Sequence, residues 1–319
     1  MGAFVFDQPP LLSRGTFDRA DEIRDEPDRM VAGWPTARVL PVDRGGRYPV
    51  DADGALRWAD ASTFGDRPPT DAVFLAHTDT DLWTIRVDEL DGKTADPRRG
   101  ATRLDADEAG LLATALGILN WHATARFSPV DGSLTVPARG GWVRRNPETG
   151  VDEFPRTDPA IITVVHDGAD RILLGRQAVW PERWYSTLAG FVEPGESLEQ
   201  CVIREVHEEV GITVHAPRYL GSQPWPFPRS LMLGFSALGD PDEPLRFLDG
   251  EIGDAQWFTR AEVLDALDRG EEWLRGMPEP DGAGRAVADG EEAPRLLLPG
   301  SISVSYTHLT LPTKRIVEI

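Results

Sequence analysis

The 319-residue sequence is poor in cysteine, in positive charge and in long apolar runs. Cys201 is its only cysteine, so no intramolecular disulfide can form, and we expect this side chain to be a small buried apolar group. Its 53 acidic residues outnumber 33 lysines and arginines, and the net charge of −20 argues against binding to duplex nucleic acid. An anionic nucleotide ligand is compatible with this charge, because bound divalent cations can supply positive charge locally.

No stretch of the sequence approaches the ~20 apolar residues that are needed to cross a bilayer. The first residues, MGAFVFDQPPLLSRG, place no basic segment before an apolar one and do not resemble a signal peptide. We therefore expect a cytoplasmic protein with no membrane partner. The length of the chain is sufficient for two domains.

The most informative segment is residues 190–212, which read GFVEPGESLEQCVIREVHEEVGI. Ser197 followed by Gln200 is the pattern of a capping box, and it predicts a helix that begins near Leu198. Gly211 predicts the end of this helix, since glycine is the usual residue just after a helical C-terminus.

Three glutamates of this predicted helix share one face, because Glu205, Glu208 and Glu209 are spaced i, i+3 and i+4. Clustered carboxylate oxygens suit Mg²⁺ or Mn²⁺. Arg204 has carboxylates on both sides, and we expect it to tie the loop residue Glu196 to the helix. A solvated acidic surface helix is the alternative; it explains the three glutamates but not the glycine, the EPGE loop and the arginine before them.

A second segment, residues 222–230, reads SQPWPFPRS. Its three alternating prolines stiffen the backbone, so that Trp225 and Phe227 can be presented at little ordering cost. Their rings suit stacking on a nicotinamide or adenine ring, and Gln223 and Ser230 can hydrogen-bond a ribose or a phosphate. The alternative is a proline-rich surface loop with a core tryptophan.

Residues 190–212 resemble the Nudix box, G-x5-E-x7-R-E-apolar-x-E-E-x-G-apolar, and SQPWPFPRS resembles the motif of the NADH pyrophosphatase branch of the Nudix hydrolases. The resemblance implies an enzyme that hydrolyses NADH or NAD⁺ to a nicotinamide mononucleotide and AMP, with Mg²⁺ or Mn²⁺ as cofactor and as a homodimer. It implies an α/β fold, the Nudix α/β/α sandwich with a mixed sheet, preceded by a degenerate zinc-ribbon-like knuckle and a mixed α+β N-terminal domain.

The resemblance also assigns roles to individual residues. The implied catalytic residues are Glu196, Arg204, Glu205, Glu208 and Glu209. The implied metal ligands are the Ala189 carbonyl, Glu205, Glu208, Glu209 and Glu251, with either Glu208 or Glu209 left open as a general base. The implied substrate-binding residues are Gln223, Pro224, Trp225, Pro226, Phe227, Pro228, Arg229, Ser230, Phe154 and Phe191.

Three alternatives stay open at this point. The same chemistry could act on ADP-ribose or on the NAD cap of an RNA 5′ end, where only the terminus enters the site. A nucleotide-binding sensor could keep the fold and lack turnover, although the complete set of acidic residues argues against it. The third alternative is a misassembled chain that folds poorly.

The domains of the chain are predicted from its composition and from its resemblance to the Nudix family. We predict an N-terminal domain over residues 1–125, a ribbon-like segment over 126–157, a catalytic domain over 158–303 and a non-native tail over 304–319. The family's four ribbon cysteines are replaced by Ser128, Asp131, Asn146 and Thr149. Because structural zinc prefers thiolate and imidazole ligands, we expect no zinc and a knuckle packed around Trp142.

Local patterns predict the individual elements. We expect strands at Ala37–Pro41, Ala72–His77, Leu82–Val87, Ile161–His166, Arg171–Leu174, Tyr185–Leu188, Leu231–Leu238 and Ala255–Phe258. Helices are expected at Asp105–Trp121 and Arg260–Arg269, and a loop at Gly276–Pro294.

Overall fold

The structure, a computed structural model, describes residues 8–180, 182–247 and 250–266, without the side chains of Arg99 and Thr102. The predicted loop at Gly276–Pro294 and the predicted tail at 304–319 lie outside these residues. The chain forms two compact units. Among the described residues, the first unit consists of Leu11–Asp158 and Gln223–Leu231, and the second consists of residues 8–10, 159–180, 182–222, 232–247 and 250–266. The predicted domain boundaries stay predictions, and the division into units differs from them in assigning residues 223–231 to the first unit.

The first unit contains both helices and short sheets. Its α-helices are α1 (Pro27–Gly33), α2 (Pro97–Gly100) and α3 (Ala106–Thr124). Its strands are β1 (Arg38–Asp43), β2 (Tyr48–Pro49), β3 (Ala59–Asp60), β4 (Val73–His77), β5 (Asp81–Val87), β6 (Thr94–Ala95), β7 (Val136–Ala138), β8 (Val143–Arg145) and β9 (Asp152–Glu153). Short 3-10 helices lie at Leu11–Ser13, Asp21–Asp25, Trp34–Thr36, Ala61–Phe64, Ala101–Arg103 and Arg139–Gly141.

The main sheet of the first unit has the order β3-β1-β5-β4 and is mixed, because β1 runs parallel to β5 while its other pairs are antiparallel. Helix α3 packs on this sheet with apolar residues around most of its circumference, and Leu112 and Leu116 are almost fully buried. Asp105 caps the helix by accepting a hydrogen bond from the Glu108 amide. The helix predicted over Asp105–Trp121 is confirmed.

The second unit is built on one larger sheet. Its strands are β10 (Asp158–His166), β11 (Arg171–Gln177), β12 (Leu188–Phe191), β13 (Val214–Trp225), β14 (Ser230–Gly239) and β15 (Ile252–Thr259), and its helix α4 is Leu198–Val210. Residues 260–266 are also helical. The strand order is β13-β14-β10-β11-β15, and β12 pairs with β10.

The two faces of this sheet are covered by different helices, as alternation along the strands requires. Val165 and Leu173 belong to the core that α4 closes with Val202 and Val206. Their neighbours in sequence point the other way: Val164, Ile172 and Leu174 pack with Val263 and Ala266 from the helix at 260–266. This is the predicted α/β/α sandwich.

Two predicted elements differ from the structure. The strand predicted at Tyr185–Leu188 is found at Leu188–Phe191, with Ser186 forming only an isolated bridge to Gly175. The segment predicted as a stiff, proline-spaced loop that presents Trp225 and Phe227 begins inside β13, which continues as far as Trp225. Pro224 is tolerated in this strand because β13 lies at the edge of the sheet, where one side of the backbone needs no partner. Within the described residues, no helix is both long and apolar enough to span a bilayer.

Candidate active site

Helix α4 begins and ends where its sequence predicts. The Ser197 hydroxyl accepts a hydrogen bond from the Gln200 amide at 3.2 Å, and the Gln200 side chain accepts one from the Ser197 amide at 2.8 Å. Gly211 ends the helix with a φ of 78°. The stripe formed by Val202, Val206 and Val210 is fully buried, which fixes the direction in which the neighbouring, acidic face points.

Arg204 connects the loop before α4 to the glutamates of the helix. Its Nε and Nη2 donate to the two carboxylate oxygens of Glu196 at 3.0 and 2.6 Å, and Nη2 also donates to the Phe191 carbonyl at 2.9 Å. Its Nη1 donates to Glu205 at 2.9 Å and to Glu208 at 3.0 Å. The fork predicted from the sequence is therefore present, and it engages three carboxylates.

The Arg204 fork changes the acid–base behaviour of the groups around it. Hydrogen bonds from Arg204 are the main reason that the pKa of Glu196 falls to about 2. Burial raises the pKa of the Cys201 thiol to about 12, and Glu196 adds to this effect. Cys201 is therefore a buried, unreactive thiol, as the sequence analysis expected.

Gly190 allows the catalytic loop to approach α4. A Cβ atom at this position would lie 1.8 Å from the carboxyl carbon of Glu205, so only glycine leaves room for that carboxylate. Burial raises the pKa of Glu205, and Arg204 opposes the shift. Ala189, the neighbouring residue with the predicted carbonyl ligand, pairs with Ile162 in the sheet.

The remaining predicted metal ligands differ in exposure. The Glu209 side chain is buried, with the residue 4% exposed, whereas the Glu208 side chain is 50% exposed. Glu251 accepts a hydrogen bond from the Gln177 side chain at 2.9 Å. In the part of the chain that the structure describes, no three His, Cys, Asp or Glu side chains converge closely enough to hold a metal. Arg204 Nη1 instead bridges Glu205 and Glu208.

The oxygen-rich donor set on α4 nevertheless matches the chemistry of a hard divalent cation. Glu205, Glu208 and Glu209 lie on a face that adjoins the buried valines and offer carboxylate oxygens, which Mg²⁺ and Mn²⁺ prefer. These residues fit the implied cofactor.

The second motif forms a turn between β13 and β14. The rings of Trp225 and Phe227 meet edge to face with centroids 4.6 Å apart, and the Arg98 guanidinium lies 4.9 Å from the centre of the Phe227 ring. Phe227 also packs against the core of the first unit. Trp225 is therefore more available than Phe227 for stacking on a ligand ring. A cleft of about 330 Å³ lies beside this turn.

Polar residues of the motif have separate environments. Arg229 forms an ion pair with Asp158 at 2.9 Å, and the Asp158 amide donates to the Arg229 carbonyl, so Arg229 holds the base of the turn. Gln223 and Ser230 are both buried. Gln223 Oε1 has no hydrogen-bond partner among the described residues, and such a buried acceptor calls for an explanation.

The two predicted aromatic residues outside the motif are both exposed. Phe154 lies in the first unit and is 54% exposed, and Phe191 lies in the second unit and is 59% exposed. Sequence analysis missed Arg98 and Asn120, which contact the motif turn from positions more than a hundred residues away. No local pattern marks either residue, because their roles come from tertiary contacts alone.

The ribbon-like segment is a small three-stranded sheet, β7-β8-β9, with two hydrogen-bonded turns. The Gly132 amide donates to the Ser128 carbonyl, and the Gly150 amide donates to the Asn146 carbonyl. The Asn146 side chain donates to Asp131 at 3.3 Å. Trp142 donates its indole N–H to the Phe74 carbonyl, and Arg24 lies over its ring at 3.9 Å.

Two family models match the chain. Residues 156–278 match the NUDIX domain, and residues 123–154 match the NADH pyrophosphatase zinc ribbon domain. The second match points to zinc, so the prediction that no zinc is expected is wrong. At the four positions where the family has its ribbon cysteines, Ser128, Asp131, Asn146 and Thr149 carry two hydroxyls, a carboxylate and an amide.

Two of three similar proteins match nearly the whole chain, and the third matches somewhat more than half of it. The NAD-capped RNA hydrolase NudC of Mycobacterium bovis (strain BCG / Pasteur 1173P2) is 49% identical over 305 residues, which are 93% of this chain and 92% of that protein. The protein of the same name from Mycobacterium tuberculosis (strain ATCC 25618 / H37Rv) is 48% identical with the same coverage. The NAD-capped RNA hydrolase NUDT12 of Homo sapiens is 40% identical over 191 residues, 57% of this chain and 41% of that protein. The chain belongs to the Nudix hydrolases, in the NADH pyrophosphatase branch of that family.

Proposed function

We propose that the protein hydrolyses the diphosphate of NADH or NAD⁺, releasing a nicotinamide mononucleotide and AMP. The observation that carries this proposal is the Arg204 fork, which ties Glu196 of the preceding loop to Glu205 and Glu208 of α4. A solvated surface helix would have no need of this arrangement, and a sensor without turnover would have no need of the complete set of carboxylates.

The residues of α4 account for the chemistry that hydrolysis requires. Attack of water on a diphosphate is opposed by the negative charge of the phosphate oxygens. We expect Ala189, Glu205, Glu208, Glu209 and Glu251 to hold Mg²⁺ or Mn²⁺. The bound cation supplies charge neutralisation and Lewis acidity at the diphosphate. Either Glu208 or Glu209 accepts the proton of the attacking water.

The proline-spaced turn is the proposed recognition element for the dinucleotide. Trp225 offers its ring for stacking, and Phe154 and Phe191 are exposed aromatic residues that suit the same task. The buried, unpartnered Oε1 of Gln223 would be satisfied by a donor such as a ribose hydroxyl. Pro224, Pro226 and Pro228 keep the turn rigid, which lowers the ordering cost on binding.

A second candidate substrate is the NAD cap of an RNA 5′ end. The observation that favours it is the 49% identity to a protein named NAD-capped RNA hydrolase. The bond cleaved is the same as in free NAD⁺, and only the RNA terminus has to enter the site. The net charge of −20 disfavours extensive contact with the rest of the RNA. ADP-ribose, which lacks the nicotinamide ring, is the third candidate.

Product analysis distinguishes these substrates. Purified protein is incubated with Mg²⁺ or Mn²⁺ and equal concentrations of NADH, NAD⁺, ADP-ribose or NAD-capped RNA, and the products are separated by chromatography. We expect a mononucleotide and AMP from NADH, or 5′-monophosphate RNA from the capped substrate. Preference for ADP-ribose over all nicotinamide substrates, or binding of NADH without any cleavage, would contradict the proposal.

We further propose that the protein is a cytoplasmic homodimer. The ribbon-like segment exposes several large apolar side chains in the first unit, and such clusters favour protein–protein contact. They are Phe127, Val130, Leu134, Val136 and Val151. Sedimentation equilibrium should give twice the mass of one chain, and a monomer at micromolar concentration would contradict this assembly.

A further inference from the structure

The turn that carries Trp225 and Phe227 has fewer backbone hydrogen-bond donors than an ordinary hairpin turn. Pro224, Pro226 and Pro228 have no N–H, so they donate no hydrogen bond to a neighbouring strand. Within the turn, the Phe227 amide donates to the Trp225 carbonyl at 2.8 Å. The carbonyl groups of the prolines can still accept hydrogen bonds, and donors from elsewhere in the fold can fix their positions.

Asn120, in the last turn of α3, supplies these donors. Its Nδ2 donates to the Pro226 carbonyl at 2.9 Å and to the Pro228 carbonyl at 2.8 Å. One helical turn earlier, a Cβ atom on Gly117 would lie 3.9 Å from Pro226, an ordinary contact distance, so α3 passes close to the turn. One amide therefore holds both sides of Phe227.

Arg86 of β5 fixes the orientation of the Asn120 amide. Arg86 Nη2 donates to Asn120 Oδ1 at 2.8 Å, and Arg86 Nη1 donates to the Asp43 carbonyl at 2.5 Å. An arginine side chain can only donate, so Oδ1 must face it and Nδ2 must face the two carbonyls. If the amide were reversed, its NH₂ group would face the Arg86 donor and its oxygen would face the Pro226 and Pro228 carbonyl oxygens, so none of the three hydrogen bonds could form.

We propose that Asn120 is a positioning residue for substrate recognition, which holds the Trp225–Pro228 turn in its binding conformation and is itself oriented by Arg86. The inference rests on the proposed hydrolysis of a nicotinamide dinucleotide. Asn120 does not touch the reacting atoms in this account; it lowers the cost of presenting Trp225 to the ligand.

Asn120→Asp is the sharpest test in the full-length protein. The aspartate keeps the shape and the contact with Arg86, but it places acceptors instead of donors against the Pro226 and Pro228 carbonyls. We expect the KM for NADH to rise about tenfold with kcat within about threefold of the parent. Asn120→Ala, which adds no charge and lets water reach the carbonyls, should raise KM by about threefold. Thr124→Ala is the matched control, because that hydroxyl bonds only the carbonyls of its own helix.

A double variant separates positioning from a general loss of stability. If Asn120 acts through the turn, then adding Asn120→Asp to Trp225→Ala should raise KM no further than Trp225→Ala alone. A parent-like KM in both Asn120 variants, or KM effects that multiply in the double variant, would overturn the proposal. An equal fall of kcat and kcat/KM would overturn it as well.

Hydrogen exchange gives a readout that does not depend on activity. Peptides covering residues 222–231 should exchange about tenfold faster in Asn120→Asp than in the parent or in Thr124→Ala, measured by mass spectrometry. If the parent hydrolyses no nicotinamide dinucleotide, the proposed function fails while the exchange result still tests the contact. If the parent hydrolyses the dinucleotide but hydrogen exchange of residues 222–231 is unchanged in Asn120→Asp, the positioning role is contradicted and the proposed function is not.

Discussion

At the scale of single residues, the glutamates of α4 differ in their surroundings more than their spacing suggests. Glu205 lies over Gly190 and against Arg204, Glu208 is half exposed, and Glu209 is buried. The spacing places all of them on one face, but Glu209 lies at the edge of that face nearest the buried valines and Glu208 lies farthest from them. These differences make separate predictions possible for each carboxylate.

Glu209→Gln should remove most of the hydrolysis without unfolding the protein. The amide keeps the volume of the buried side chain but loses the negative charge and the ability to accept a proton. We expect kcat to fall about a hundredfold or more, measured with NADH and Mg²⁺. Glu199→Gln, at an exposed position in the first turn of the same helix, is the control and should behave like the parent. A rate within a few-fold of the parent would show that Glu209 has no part in the reaction.

Glu196 should make the stability of the protein depend on pH in the acidic range. Its ordinary pKa of 4.5 is lowered to about 2, chiefly by Arg204. Because the folded pKa is the lower one, the stabilisation is complete above pH ~4.5 and is lost as the pH falls towards 2. The free energy of unfolding in urea should therefore drop less between pH 5 and pH 3 in Glu196→Gln than in the parent. Glu193→Gln, an exposed residue of the same loop, should keep the parent's slope.

At the scale of elements, α4 was predictable and the motif turn was not. The cap at Ser197 and the stop at Gly211 are local signals, so the sequence alone predicts both ends of the helix. The continuation of β13 to Trp225 depends on its place at the edge of a sheet, which no local pattern reveals. Asn120 and Pro226 are 106 residues apart in the sequence, so no local pattern predicts the hydrogen bond between them either.

The motif turn should serve recognition and leave bond cleavage unaffected. Trp225→Ala should raise the KM for NADH while kcat changes little, corresponding to a loss of ~1–3 kcal/mol if a ring stack is removed. A diphosphate substrate too short to reach the turn should be affected much less. Tyr219→Ala removes an exposed aromatic ring from the same strand and serves as the control. Equal slowing of all substrates would make the turn a structural element.

At the scale of the whole molecule, the α/β/α layers of the second unit follow from alternating strand patterns together with the family motif. The first unit was less predictable: its strands near Ala37–Pro41, Ala72–His77 and Leu82–Val87 were expected, but the parallel pairing of β1 with β5 was not. The zinc prediction was wrong because it weighed four positions, Ser128, Asp131, Asn146 and Thr149, whereas the family match rests on the whole segment.

Hydrolysis by the whole protein should require a divalent cation. After dialysis against a chelator we expect no release of AMP from NADH, and addition of Mg²⁺ or Mn²⁺ alone should restore it, because the acidic face of α4 supplies hard oxygen ligands. Zn²⁺ added without Mg²⁺ or Mn²⁺ is the control for the ribbon segment. Undiminished turnover after chelation would remove the metal from the proposed mechanism.

The assignment of residues 223–231 to the first unit limits how this protein can be divided by evolution or by engineering. The chain leaves the second unit after Ser222 and returns to it at Met232. If recombination replaced residues 1–158 by those of another protein, this turn would face the α3 helix of that protein. The residue at the position of Asn120 would then not be selected to bind this turn. Recombination that exchanges the whole first unit must therefore also exchange the nine residues 223–231, which lie within the sequence of the second unit.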